Sequence, residues 1–85
     1  MKVQVLYFAS LREKLGCASE TVELPDHVVS LGALREWLAE RGGVWAEALG
    51  AAKALRGAIN QAMAKPDAPL AEGAEVAFFP PVTGG

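Results

Sequence analysis

Three kinds of residue in this 85-residue chain could carry chemistry: one cysteine, one histidine and a terminal glycine pair. Cys17 would be a nucleophile only as a thiolate, and a thiol pKa falls only beside a base, a cation or a helix N-terminus. His27 is the one histidine, ten residues on and in another loop. Cys17 therefore reads as structural. His27 alone makes no metal site, because zinc takes three or four N, S or O ligands, so no metal is expected. Glu20, Glu23, Glu72 and Glu75 alternate with apolar residues and read as solvated strand faces. The pair Gly42-Gly43 follows a helical stretch instead of preceding one, so it is no phosphate cradle. Nothing internal resembles an active site.

The remaining candidate is the stretch VAFFPPVTGG, residues 76–85. Pro80 and Pro81 cannot continue a sheet and bias the chain toward an extended form. Val82 and Thr83 form an uncharged link. Gly84 and Gly85 carry no Cβ and fit a narrow channel. Fully extended, residues 80–85 reach roughly 20 Å. The only ionic group expected at the tip is the α-carboxylate of Gly85, ionised at neutral pH and hence a poor electrophile. Reaction there requires prior activation, for example to an acyl-adenylate, by another protein. The stretch reads as a handle presented to other enzymes' active sites, and the chain as a carrier without catalytic machinery of its own.

Size and composition agree. A chain of this length buries about 60–65% of its unfolded surface, enough for a core and too little for a deep pocket. The apolar fraction is 52%, the charged fraction 21% and the net charge −2, with acids and bases interspersed. This excludes a disordered chain and gives no basic run for nucleic acid. No apolar run approaches the roughly 18 residues of a membrane span, and the opening MKVQVLYFAS lacks the length and cleavage site of a signal peptide. With one cysteine, no internal disulfide forms, and a cytoplasmic setting is expected.

The elements that must hold the tail are legible from periodicity. Residues 2–9, rich in β-branched and aromatic types, form a first strand and residues 19–24 a second, ended by Pro25. Between them SLREKLG makes a short helix stopped at Gly16. Ser30 is an N-cap, Val29 and Leu34 have hydrophobic-staple spacing, and Leu31, Leu34 and Leu38 make one apolar stripe. Gly42-Gly43 ends that helix, and VWAEALGAA makes a shorter one. Residues 53–61 read as a weaker strand, Gly73 as a turn residue and residues 74–79 as the last strand. If the first and last strands are central neighbours they run parallel, with the helix on one face. The other face then carries Leu6, Phe8, Ala77 and Phe79. This is an α+β, β-grasp arrangement over residues 1–79, followed by a flexible Gly-Gly tail over residues 80–85. An exposed patch containing Phe8 and Phe79 marks an interface.

Taken together, EVAFFPPVTGG (75–85), VLYFASLRE, LGALREWLAERG and AINQ (58–61) resemble the ubiquitin-like β-grasp sulfur carriers. The match is to the molybdopterin synthase small-subunit family and covers essentially the whole chain. The resemblance implies a mixed sheet with one main helix packed on one face. It implies adenylation of Gly85 by an ATP-using, ubiquitin-activating-like adenylyltransferase, then conversion to a thiocarboxylate. It also implies docking on the synthase large subunit, in a heterotetramer of two small and two large subunits. Sulfur then passes to cyclic pyranopterin monophosphate, giving molybdopterin. Phe8, Phe79 and Met63 match the family's partner-binding positions. Pro80, Pro81, Val82 and Thr83 match the segment entering the partner, with Gly84 the unhindered neighbour of Gly85. No bound cofactor is implied; ATP belongs to the activating partner. The alternatives are sulfur carriage for thiamine or tRNA thiolation, a ubiquitin-like modifier conjugated through Gly85, and a plain interaction domain.

Overall fold

The computed structural model describes residues 1–81. In chain order its elements are β1 (Lys2–Tyr7), α1 (Ser10–Leu15), β2 (Ser19–Glu23), α2 (Leu31–Ala39), α3 (Val44–Leu49), β3 (Arg56–Ile59), β4 (Ala62–Ala64) and β5 (Glu75–Phe79). The strands form one five-stranded sheet in the order β2-β1-β5-β3-β4. β1 and β5 pair in parallel, with Val5 beside Val76 and Tyr7 beside Phe78, and every other pairing is antiparallel. A parallel pair needs a long crossover connection, and here that connection supplies the helices. This is the expected α+β, ubiquitin-like β-grasp.

Strand parity sorts the apolar residues. Val3, Val5, Tyr7, Val76 and Phe78 point to the helical side and join Leu31, Leu34 and Leu38 in one buried cluster. α2 starts where Ser30 predicts: its Oγ accepts a hydrogen bond from the Ala33 N–H at 3.2 Å. The Leu31 and Gly32 N–H groups donate to the carbonyls of Ala68 and Pro66 at 3.0 and 2.8 Å. The loop after β4 thus satisfies donors that a helix N-terminus otherwise leaves to water. Gly57 lets α2 approach the sheet, since a Cβ there would lie 2.7 Å from Leu31 Cδ2.

Three expectations need correction. The strand placed over 53–61 is a hairpin: β3 ends at Ile59, Asn60 and Gln61 turn with φ of 49° and 70°, and β4 returns. Asn60 also clasps β5, accepting from the Glu75 N–H through Oδ1 at 3.0 Å and donating its own N–H to the Glu75 carbonyl at 2.8 Å. Val29 does not staple α2. It is exposed, and Val28 fills the core instead.

Glu20 is the third correction: it is no solvated strand residue. On the helical side of the edge strand β2 it accepts from the Tyr7 hydroxyl at 2.8 Å. Arg41 donates to it bidentately at 2.8 and 3.0 Å. The Arg41 guanidinium lies 4.4 Å over the Trp45 ring, which meets Tyr7 edge-on at 5.5 Å. Burial and the Glu20 hydrogen bond push the Tyr7 hydroxyl pKa well above its ordinary value. Burial would raise Glu20, but hydrogen bonds from Arg41 and Tyr7 outweigh it and hold the carboxyl below its usual value. This network ties the end of β1 to β2, the end of α2 and the start of α3.

Two outcomes follow from these local interactions. A group with a depressed folded pKa stabilises the native state above its unfolded value and loses that contribution as pH falls through the folded one. Glu20→Gln should cost about 1 kcal/mol at neutral pH, the screened value of a partly exposed charged network. Urea melts should show the difference from wild type shrinking as pH drops below 4.5, the ordinary glutamate value. Gln61→Gly, which relieves a positive-φ side chain in a two-residue hairpin turn, should stabilise by roughly 0.5–1 kcal/mol in the same melts.

Candidate functional site

The sheet face opposite the helices is divided in two. Register places Ser19, Leu6, Ala77, Ala58 and Met63 in one row across all five strands. The row toward the start of β1 and β5 holds Thr21, Gln4 and Glu75. Toward the strands' carboxyl ends Phe79 lies beside Arg56, and Phe8 follows β1. The apolar half is therefore the half from which residues 80 and 81 leave the sheet.

Local backbone fixes the two aromatics. Phe8 continues β1 by one residue, its N–H donating to the Phe78 carbonyl at 3.2 Å. Ala9, with φ 54°, then turns the chain into α1, which leaves the Phe8 ring 44% exposed. Met63, opposite Ala58 in β4, is 59% exposed. Phe79 is half-buried and its neighbour Phe78 only 2% exposed, as parity requires of adjacent strand residues. Alanines at 58 and 77 keep the middle of the face shallow between these larger side chains. Exposed apolar groupings of this kind commonly mark interaction surfaces.

Pro80 and Pro81 follow β5 and sit between two grooves. One, of about 170 Å³, is lined by Pro80, Leu11 and Leu55; the other, of about 380 Å³, by Pro81, Leu31, Leu55 and Met63. Arg35 holds the segment between α3 and β3. Its guanidinium donates to the carbonyls of Leu49 and Gly50, each at 2.7 Å, and to that of Lys53. Burial lowers the Arg35 pKa, yet it stays charged at any physiological pH.

The structure places Phe8, Met63 and Phe79 on the open sheet face and Pro80 and Pro81 directly after β5. Val82, Thr83, Gly84 and Gly85 lie outside the described residues. Cys17 is half-buried, its thiol 3.4 Å from the Ser19 carbonyl, and His27 is exposed. Among the described residues no group of three or more His, Cys, Asp or Glu could hold a metal ion, and no helix is long and apolar enough to cross a membrane. Residue-by-residue reading missed Ala58 and Arg56 as part of the face. Their signal was the alternation through RGAI, obscured because Asn60-Gln61 is an unusual turn pair.

The chain matches the ThiS family over residues 5–85. It is 43% identical, over 98% of its length and 99% of the relative's, to the molybdopterin synthase sulfur carrier subunit of Haemophilus influenzae. Among solved structures it is similar to a putative molybdopterin converting factor subunit 1 from Pyrococcus furiosus. That likeness has a TM-score of 0.78 and 28% identity, and covers 96% of this chain and 99% of the other. It is also similar to a chain in the complex of subunits 1 and 2 of the molybdopterin-converting factor from Helicobacter pylori. There the TM-score is 0.67 and the identity 26%, and both chains are covered in full. From its first strand through Gly85, this chain belongs to the ThiS family of ubiquitin-like β-grasp proteins, beside relatives named as molybdopterin synthase sulfur carrier subunits.

Proposed function

We propose that this chain is the sulfur-carrier subunit of a molybdopterin synthase. The observation that carries the reading is end-to-end similarity to a carrier subunit, in a domain whose exposed apolar half adjoins the departure of its tail. The Helicobacter pylori relative, solved in complex with a second subunit, supports a large-subunit partner; the exposed apolar half is the surface we assign to it.

In this reading the reacting group is the Gly85 carboxylate. A partner adenylyltransferase attacks the α-phosphorus of ATP with that carboxylate, releasing pyrophosphate and leaving an acyl-adenylate. A persulfide sulfur displaces AMP, and a thiol cleaves the resulting acyl disulfide, leaving the thiocarboxylate. Within the synthase the thiocarboxylate gives its sulfur to cyclic pyranopterin monophosphate, and water restores the carboxylate. Two sulfurs make each dithiolene, so each product consumes two loaded carriers; the family resemblance implies an assembly of two small and two large subunits. The domain contributes position: Phe8, Met63 and Phe79 anchor the partner, and Pro80 through Thr83 carry the terminus inward. A few buried aromatic anchors commonly dominate such interfaces.

Reconstitution with a large subunit, a synthetic Gly85 thiocarboxylate and the cyclic precursor should yield molybdopterin. Deleting Gly85 should abolish the product with an unchanged thermal melt. In cells, the intact chain should gain the mass of one oxygen-to-sulfur exchange; a ladder of lysine adducts instead would identify a protein modifier. Phe79→Ala should weaken large-subunit binding by at least about 2 kcal/mol, roughly 30-fold, while lowering fold stability by less than about 1 kcal/mol. Equal losses in titration and melting would make Phe79 a core residue and overturn its assignment as an anchor.

A further inference from the structure

The chain is acidic overall, but the surroundings of Pro80 and Pro81 are not. The two grooves flanking these prolines are lined by Lys14, Lys53, Arg35, Arg56 and Lys65 and by no acidic residue. That is five of the chain's eight cations and none of its ten acids. Everything beyond this collar therefore holds three cations against ten acids. Two of the five have partners: Lys14 lies 3.6 Å from Glu47, and Arg35 is held by backbone carbonyls. Lys53, Arg56 and Lys65 are exposed and form no salt bridge among the described residues. Arg56 sits beside Phe79 in the sheet and lines the same groove as Met63, so the collar is continuous with the apolar half-face.

Resting on the carrier reading above, we propose that this collar docks on an acidic rim around the mouth of the site that receives the tail. The occupant is a protein surface: the cations are divided between two open grooves, Lys14 and Lys53 in one and Arg35, Arg56 and Lys65 in the other, where a small bound anion would require them in one. Exposed charges act over distance and apolar contacts only on close approach, so the collar acts on encounter and orientation, while the apolar anchors act on residence time. Like charges at the rim of a wrong partner would be rejected by the same residues.

The test measures association and dissociation rates of the full chain with a recombinant molybdopterin synthase large subunit, at about 50 mM and about 500 mM NaCl. Three proteins are compared: wild type, the triple variant Lys53→Glu/Arg56→Glu/Lys65→Glu, and Phe79→Ala. Wild-type association should slow at least about tenfold between the two salts. The triple variant should associate at least about tenfold more slowly than wild type at low salt, converge with it at high salt, and dissociate at a similar rate. Phe79→Ala should do the reverse, dissociating faster with association nearly unchanged. The wild-type salt dependence stands as its own readout if the triple variant melts abnormally. Wild-type association that is indifferent to salt, or a triple variant that associates as fast as wild type or faster at low salt, overturns the collar and leaves the carrier reading standing. So does saturable one-to-one binding of inorganic tripolyphosphate that the triple variant loses while keeping wild-type association, which would make the collar a small-anion site. A wild type that fails to bind at either salt overturns both.

Discussion

The parallel pairing of β1 with β5 is the constraint on which the rest of the molecule depends. It brings both ends of the domain to the centre of the sheet, with Gln4 beside Glu75 and Tyr7 beside Phe78. Parallel neighbours cannot be joined by a tight turn, so the intervening chain must cross over, and its helices bury the face to which Val5, Tyr7, Val76 and Phe78 point. Among the described residues, no helix or loop covers the other face. The same pairing fixes where Phe8 and Phe79 emerge, since both follow the last paired residues of the two central strands. Core and open apolar face are thus opposite sides of one hydrogen-bonded ladder.

The edges of the sheet are secured differently. On the β2 side the Tyr7–Glu20–Arg41 network, capped by Trp45, joins strand to helix through charge-assisted hydrogen bonds. On the β4 side the groups being held are backbone ones: Asn60 clasps Glu75 through its Oδ1 and its N–H, and the Pro66 and Ala68 carbonyls receive the first-turn donors of α2. Arg35 does the same for the loop leading to β3. Each device holds an element bordering the apolar half-face or the root of the tail, and none places an ionisable side chain in the middle of that face. In the proposed carrier role this arrangement is useful, because firmly held edges keep the apolar half-face and the end of β5 in fixed relation.

Much of this was legible in the sequence, for physical reasons that differ by element. Ser30 and the Leu31, Leu34, Leu38 stripe announced α2 because capping and 3.6-residue periodicity are local. Alternation in VQVLY and EVAFF announced the two central strands, and from them the open-face residues Leu6, Ala77 and Phe79. The β3–β4 hairpin was obscured because Asn60-Gln61 takes positive φ without the glycine that usually marks such a turn. Met63 consequently stood out only through family resemblance, although its place opposite Ala58 accounts for its exposure. Glu20 was misread because alternation identifies a strand face but not whether a helix end supplies an arginine to it. The basic collar was invisible for a related reason: its five cations lie between positions 14 and 65 and form no run.

Parity along β5 finally explains how one short segment serves two ends without compromise. Phe78 and Phe79 are chemically identical neighbours with opposite duties. The difference is set entirely by the register that places Phe78 beside Tyr7 and Gly57, and Phe79 beside Arg56. A one-residue slip would exchange the two rings, and with them Val76 and Ala77, moving apolar bulk out of the core and small residues into it. The clasp of Asn60 on Glu75, at the first residue of β5, blocks that slip through two hydrogen bonds. A turn residue that sequence reading passes over therefore does as much to define the open apolar face as the aromatics that occupy it.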